Sequence, residues 1–268
     1  GLGLGDVDAI AVSAGPGLAG CLAVGVSGAK ALAWAANKPL YGINHVIGHI
    51  AVTQLQFGPF PKDTLALIVS GGHTSLLHVR DVARHVDVVG TTLDDAAGEC
   101  FDKAARVLGL PYPGGKPIDD LSKGGDDSRY AFPIAHVDGN PYDMSFSGLK
   151  TAVINLVHNA QQKGEEIDRA ALAASFTKAV SDSLVPRTMM AAKELGYKKI
   201  VVAGGVAANS RIRADFTAAA EKAGCSLYVP PLRLCGDNGA MIGAQGYYEY
   251  LAGHTAGSDL NAYATMDI

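Results

Sequence analysis

Little in this chain points to thiol chemistry. Its 268 residues include only four cysteines, Cys21, Cys100, Cys225 and Cys235, widely scattered and with no C-x-x-C pair. That spacing excludes a thiolate zinc site and a secreted disulfide framework, and it predicts reduced thiols in a cytoplasmic protein. Basic charge is not in excess either. Twenty-two Lys and Arg stand against 26 Asp and Glu, for a net charge of −4, which argues against a free-standing, non-specific nucleic-acid binder but leaves room for a local basic patch. There is no internal repeat, no low-complexity segment, no basic-then-apolar leader and no uninterrupted apolar run of membrane length. The most apolar helix candidate, Leu18 to Ala36, carries Ser27 and Lys30 and reads as a buried helix. The chain opens on Gly1 rather than methionine and runs almost straight into a strand, so an N-terminal piece is expected to be missing.

What the chain has is glycine and apolar residues. Hydrophobic residues make up 48% and charged ones 18%, as in a soluble globular protein. The 33 glycines exceed average usage and fall at predicted strand ends, where a backbone can approach a ligand. The pattern predicts strands at 8–12, 40–43, 64–70, 74–80, 86–91, 199–203 and 226–229. Helices are predicted at 18–37, 45–55, 94–108, 147–162, 168–195 (kinked at Pro186), 206–223 and 237–251, with 111–117 a loop and 119–145 irregular. Strands alternating with helices argue for an α/β architecture.

Leu67 to Leu77 is the stretch around which the rest is organised. Two apolar runs flank Ser70-Gly71-Gly72-His73-Thr74, which reads as strand, glycine turn, strand. Backbone N–H groups at such a turn can grip a phosphate; the plain alternative is a hairpin with a polar tip. Gly204-Gly205 joins another strand to a helix and offers a second close approach for a nucleotide, although it is neither G-x-G-x-x-G nor a Walker loop. Asp102 and Asp119 could accept hydrogen bonds from ribose hydroxyls, or simply be solvated surface.

His45 and His49 stand at i and i+4, on one helix face, where both rings can reach one ion. Val46 stands where a zinc protease would need its Glu, which disfavours that hydrolase. A third ligand could be Asp237, whose other reading is the N-cap of the last helix. Two imidazoles and a carboxylate suit iron or zinc with positions left open.

Eight segments in this order resemble the TsaD family: Ser13-Ala14-Gly15-Pro16-Gly17; Asn44-His45-x-x-Gly48-His49; Val69-Ser70-Gly71-Gly72-His73-Thr74; Asp94-Asp95-Ala96-Ala97-Gly98-Glu99 with Phe101-Asp102-Lys103; Tyr112-Pro113-Gly114-Gly115; Phe146-Ser147-Gly148-Leu149-Lys150-Thr151; Gly204-Gly205-Val206-Ala207-Ala208-Asn209; and Gly236-Asp237-Asn238-Gly239-Ala240. These are the bacterial tRNA adenosine threonylcarbamoyltransferases, formerly described as O-sialoglycoprotein endopeptidases. The resemblance covers nearly the whole chain. It implies an actin-like ATPase fold of the sugar kinase and heat-shock-protein type, with two lobes around a nucleotide cleft. The first lobe would be 1–63 plus 238–268, without its N-terminal hairpin, and the second 64–237. It also implies transfer of threonylcarbamoyl from threonylcarbamoyl-AMP to the adenosine 3′ of the anticodon in tRNAs reading codons that begin with A.

By the same resemblance, His45, His49 and Asp237 would bind one divalent metal, Fe(2+) or Zn(2+). Ile68, Val69, Ser70, Gly71, Gly72, Asp102, Gly115, Asp119 and Asn209 would bind the adenylate. A paralogous TsaB-type subunit and a TsaE-type P-loop ATPase would be partners. Ile47 departs from the Glu common in the family's histidine motif but is not a ligand position. No residue stands out as a general base. The competing readings are an actin-like small-molecule kinase, which would use magnesium and carboxylates rather than a histidine pair, and a non-catalytic nucleotide-binding scaffold. A basic patch for tRNA would draw on Lys103, Lys116, Lys150, Arg211, Arg213 and Arg233.

Overall fold

The computed structural model describes Gly1 and residues 3–268. In chain order the elements are β1 (Ile10–Gly15), α1 (Ala19–Ala36), β2 (Leu40–Asn44), α2 (His45–Ala51), α3 (Gln54–Phe57), β3 (Thr64–Val69), β4 (Thr74–Asp81), β5 (His85–Thr91), α4 (Ala97–Val107), α5 (Gly115–Ser122), α6 (Ser147–Lys163), α7 (Arg169–Glu194), β6 (Lys199–Ala203), α8 (Ser210–Ala223), β7 (Ser226–Tyr228) and α9 (Gly239–Ala252). The chain divides into two compact units. One is Gly1–Lys62, Val79–Asp87 and Asp237–Ile268; the other is Asp63–His78 and Val88–Gly236.

In the first unit β1 and β2 pair in parallel, Ile10 against Leu40 and Ser13 against Ile43. Helix α9 packs on both strands and on α2. Gly246 of α9 is needed there for close approach: a Cβ would lie 2.7 Å from Ala11 Cβ. Asn44 ends β2 and starts α2, because its Oδ1 accepts from the N–H groups of Val46 and Ile47 at 2.9 and 3.3 Å, satisfying two donors a helix start leaves open.

Helix α1 corrects the expectation of a buried helix. Only Leu22, Val26, Ala29 and Ala33 are buried, one stripe at helical spacing, and Leu18, Val24 and Trp34 are 77–88% exposed. Composition reads small apolar residues alike on every face, so it could not separate the covered stripe from the open one. Among the described residues α1 is also the one helix long and apolar enough to cross a membrane by length and composition, with 22% of it buried.

Five strands lie in the order β5-β4-β3-β6-β7; the second unit holds β3, β6 and β7 whole, with residues 74–78 of β4 and 88–91 of β5. Strand β3 pairs in parallel with β6, and β6 with β7. All six residues of β3 are buried, as expected of a central strand covered on both faces, and each buried Leu or Ile contributes roughly 1.5–3 kcal/mol. Phe101 of α4 meets Phe176 of α7 edge to face at 5.1 Å, and both belong to a core shared with Leu65, Leu67, Val69 and Val202.

Several boundaries differ from the sequence reading. The helix predicted from 94 starts at Ala97, because Asp94 is spent elsewhere: its carboxylate accepts from Phe146 N–H at 2.8 Å and from Ser145 and Ser147. The loop predicted over 111–117 yields to α5 from Gly115, with Pro117 in the first turn, where a missing N–H costs no helical bond. The helix predicted from 206 starts at Ser210, after a 3-10 turn at Gly205–Ala208, with Asn209 as its N-cap. The last helix is capped by Asn238, whose side chain accepts from Met241 N–H at 2.9 Å. The N-cap reading of Asp237 is thereby overturned, and its carboxylate is left for other work.

Candidate functional site

The first unit brings His45, His49 and Asp237 together. Residues i and i+4 on α2 put the two imidazole rings 5.0 Å apart and nearly perpendicular. Oδ1 of Asp237 lies 3.4 Å from His45 Nε2 and 3.2 Å from His49 Nε2. Each residue offers one ligand atom, all within 4.8 Å of one another. The two imidazoles beside it hold the Asp237 carboxyl far below the usual carboxylate range, against the opposing effect of burial.

His49 carries the test of whether a metal fits. It is 2% exposed, and neither ring nitrogen has a hydrogen-bond partner among the described residues; Nε2 has the Asp237 carboxylate 3.2 Å away. A buried imidazole with both nitrogens unsatisfied is costly. A cation at Nε2 removes most of that cost, and a neutral histidine pair with one carboxylate is a donor set that divalent transition ions accept.

The second unit gathers the remaining predicted residues. Ile68 and Val69 are fully buried in β3, so only their backbone can meet a ligand. Ser70 closes the turn that follows: its N–H donates to His73 O at 2.8 Å, and its Oγ accepts from His73 N–H at 3.2 Å. The N–H groups of Gly71 and Gly72 donate to no acceptor among the described residues, and a side chain at either position would meet nothing within 4 Å. Gly204 leaves the same end of the neighbouring parallel strand with φ +100°, and a Cβ there would overlap Val69 O, so both glycine turns sit at the end of β3.

The acidic residues are already engaged. Asp102 Oδ1 accepts from Gly114 N–H at 2.7 Å, which ties α4 to the loop that opens α5 at Gly115. Asp119 Oδ1 accepts from Ser210 N–H at 2.9 Å and Ser210 Oγ at 2.7 Å, which ties α5 to the start of α8. Asn209 is 6% exposed, its Oδ1 accepts from Ile212 N–H at 3.1 Å, and its Nδ2 has no hydrogen-bond partner among the described residues. Sequence reasoning missed Ser210, whose only signal was its place next to Asn209, and Gly98, which stands within the Asp94–Glu99 motif.

Most of the basic candidates are paired internally. Lys103 meets Glu99, Lys116 meets Asp120, Lys150 meets Asp95, and Arg211 meets Asp127 and Asp215. Arg213 donates to the carbonyls of Ala207 and Pro230, both at 3.0 Å. Arg233 is exposed.

Comparison with known proteins gives the family and the fold. The family model for TsaD, tRNA N6-adenosine threonylcarbamoyltransferase, matches residues 1–244. The chain is 60% identical over 248 residues to the tRNA N6-adenosine threonylcarbamoyltransferase of Bifidobacterium adolescentis, covering 91% of this chain and 72% of that protein. It is 50% identical over 268 residues to that of Moorella thermoacetica, covering 100% and 78%. Among solved structures it is similar to HypF of T. kodakarensis, with TM-score 0.67 at 16% identity, covering 95% of this chain and 42% of that one. It is also similar to a full-length HypF in a phosphate- and nucleotide-bound form, with TM-score 0.60 at 14% identity, covering 85% and 38%. The chain spans less than half of either HypF, and that likeness is one of fold, an actin-like α/β architecture. The sequence matches go further: this chain belongs to the TsaD family of tRNA N6-adenosine threonylcarbamoyltransferases.

Proposed function

We propose that this chain transfers the threonylcarbamoyl group of threonylcarbamoyl-AMP to the exocyclic amine of the adenosine 3′ of the anticodon, in tRNAs reading codons that begin with A, in the cytoplasm. The observation that carries the reading is the His45–His49–Asp237 group, intact in a chain with this family match.

The N–C bond forms as the anhydride C–O bond breaks; AMP leaves and the amine loses a proton. An aromatic amine is a weak nucleophile, because its lone pair is delocalised, so orientation is the main task. Gly71 and Gly72 would hold the adenylate phosphate through their free N–H groups. Asp102, Gly115, Asp119 and Asn209 would place its nucleoside, with Asp119 Oδ2 and Asn209 Nδ2 as the atoms least committed within the chain. His45, His49 and Asp237 would hold one divalent ion, iron by family preference or zinc. When bound, such an ion supplies Lewis acidity toward a carbonyl oxygen.

The internal pairing of Lys103, Lys116, Lys150 and Arg211 leaves few cations for RNA phosphates. Isolated chain would therefore bind tRNA weakly and with strong salt dependence, and the TsaB-type and TsaE-type partners would tighten it. The test is single-turnover transfer from threonylcarbamoyl-AMP to unmodified tRNA, with and without those partners. Modified adenosine formed in step with AMP release is expected. Release of AMP with no label on tRNA, partners included, would overturn the assignment.

A further inference from the structure

The turn that carries Gly71 and Gly72 is held from outside by the first residues of α4. Gly98 N–H donates to Ser70 O at 3.1 Å, and Ala97 N–H donates to Thr74 Oγ1 at 2.9 Å. The helix start therefore spends two of its open donors on the two ends of the turn rather than on a ligand. Thr74 is 1% exposed and Ala97 fully buried, so this contact is shielded from water. At Gly98 the approach leaves no room. A Cβ would overlap Ser70 O and lie 2.7 Å from both N and Cα of Gly71, and these are backbone atoms that cannot rotate aside. Gly98 has no positive φ, so its own backbone does not demand glycine; the turn does. Gly71 and Gly72 show the opposite pattern, with nothing near their missing side chains.

We infer that Gly98 and Thr74 are positioning residues for the anion-binding turn: docking of α4 fixes Ser70 and Gly71 so that the N–H groups of Gly71 and Gly72 converge on one phosphate. The inference rests on the adenylate reading given above. A side chain at 98 must push Gly71 away from α4, and loss of the Thr74 hydroxyl frees the other end of the turn. Neither change touches His45, His49 or Asp237, which belong to the other unit.

The test uses the whole chain, AMP as the probe in titration calorimetry, and metal content by elemental analysis. Gly98→Ala is expected to weaken AMP binding by at least about tenfold, the size of effect that small misplacements of a preorganised site produce. Thr74→Val is expected to weaken it several-fold, and Thr74→Ser, which keeps the hydroxyl, to bind as wild type does. Metal content should be that of wild type in all three. Wild-type AMP affinity in a folded Gly98→Ala protein, or in Thr74→Val where Gly98→Ala does not fold, would overturn the inference alone. Failure of the wild-type chain to bind AMP would overturn the adenylate reading and the inference with it.

Discussion

Asp119 binds Ser210 twice through one oxygen, Oδ1, which accepts from the Ser210 N–H and from its hydroxyl. The other oxygen lies 3.8 Å from Lys123 Nζ, and the side chain is 14% exposed. One carboxylate therefore presents two separable atoms, Oδ1 as a structural tie to Ser210 and Oδ2 as an acceptor with the Lys123 ammonium at its edge.

Two substitutions at Asp119 should separate them. Asp119→Ala removes both and should destabilise the chain by about 0.5–1.5 kcal/mol, the net worth of an ordinary hydrogen bond, because Ser210 is exposed and water can take up its donors. Asp119→Asn keeps an acceptor for Ser210 and replaces Oδ2 with an amide. It should melt close to wild type yet bind AMP more weakly. Denaturant unfolding and calorimetry check the pair; Asp119→Asn with unchanged AMP affinity would rule out Oδ2 as a ribose acceptor.

Gly71→Val should leave stability within about 0.5 kcal/mol of wild type, the range for substitutions at open surface positions, because among the described residues none beyond its chain neighbours lies within 4 Å of the new Cβ. Its effect should fall on the ligand, as loss of AMP affinity. Gly204→Val should instead cost stability, since φ is +100° and Val69 O occupies the space. A Gly71→Val protein that binds AMP as wild type does would show that the phosphate lies elsewhere.

How much of this was legible in the sequence depends on what each signal measures. The Gly71-Gly72 turn and the β6 turn at Gly204 could be read directly, because glycines between an apolar run and a polar segment have few other uses. The histidine pair could be read because i, i+4 spacing fixes one face of α2. Asp237 could not be separated from a helix cap: Asp237 and Asn238 are adjacent and both residue types cap helices, and only the hydrogen bond from Met241 to Asn238 decides. The start of α4 was misplaced because Asp94 looks like a first-turn acid until its partners, about 50 positions later at Ser145–Ser147, are known. The open face of α1 was illegible for another reason. Its residues are apolar on every side, and what a face packs against is not written in its own composition.

His45→Ala and Asp237→Ala should each lower bound metal sharply, since the loss of one ligand in three leaves the others unable to define a site; even second-sphere changes cost about 10–100-fold in affinity. His49→Ala should lower metal and also cost stability, because the ring is 2% exposed and its removal leaves a cavity. Elemental analysis of purified proteins checks this. Full metal content in both His45→Ala and Asp237→Ala would refute the triad.

Asp94 sets the last expectation, a dependence on pH. Burial alone would raise its pKa, but hydrogen bonds from Ser145, Phe146 and Ser147 outweigh it and hold the carboxyl below its ordinary value. A group whose pKa is lower folded than unfolded stabilises the fold above the unfolded pKa, about 3.9, and that contribution is lost as pH falls through the folded value. Asp94→Asn mimics the protonated acid and removes an acceptor on which Ser145 and Ser147 depend. At pH 7 it should be less stable than wild type by about 1 kcal/mol, at the low end for hydrogen bonds to a charged group because Asp94 is exposed. The gap should be constant from neutral pH down to about pH 5 and then close with further acidification as the wild-type carboxylate takes up its proton. Urea unfolding of both proteins across that range measures it. A gap that stays the same to pH 3 would mean that Asp94 holds the start of α6 by shape rather than by charge.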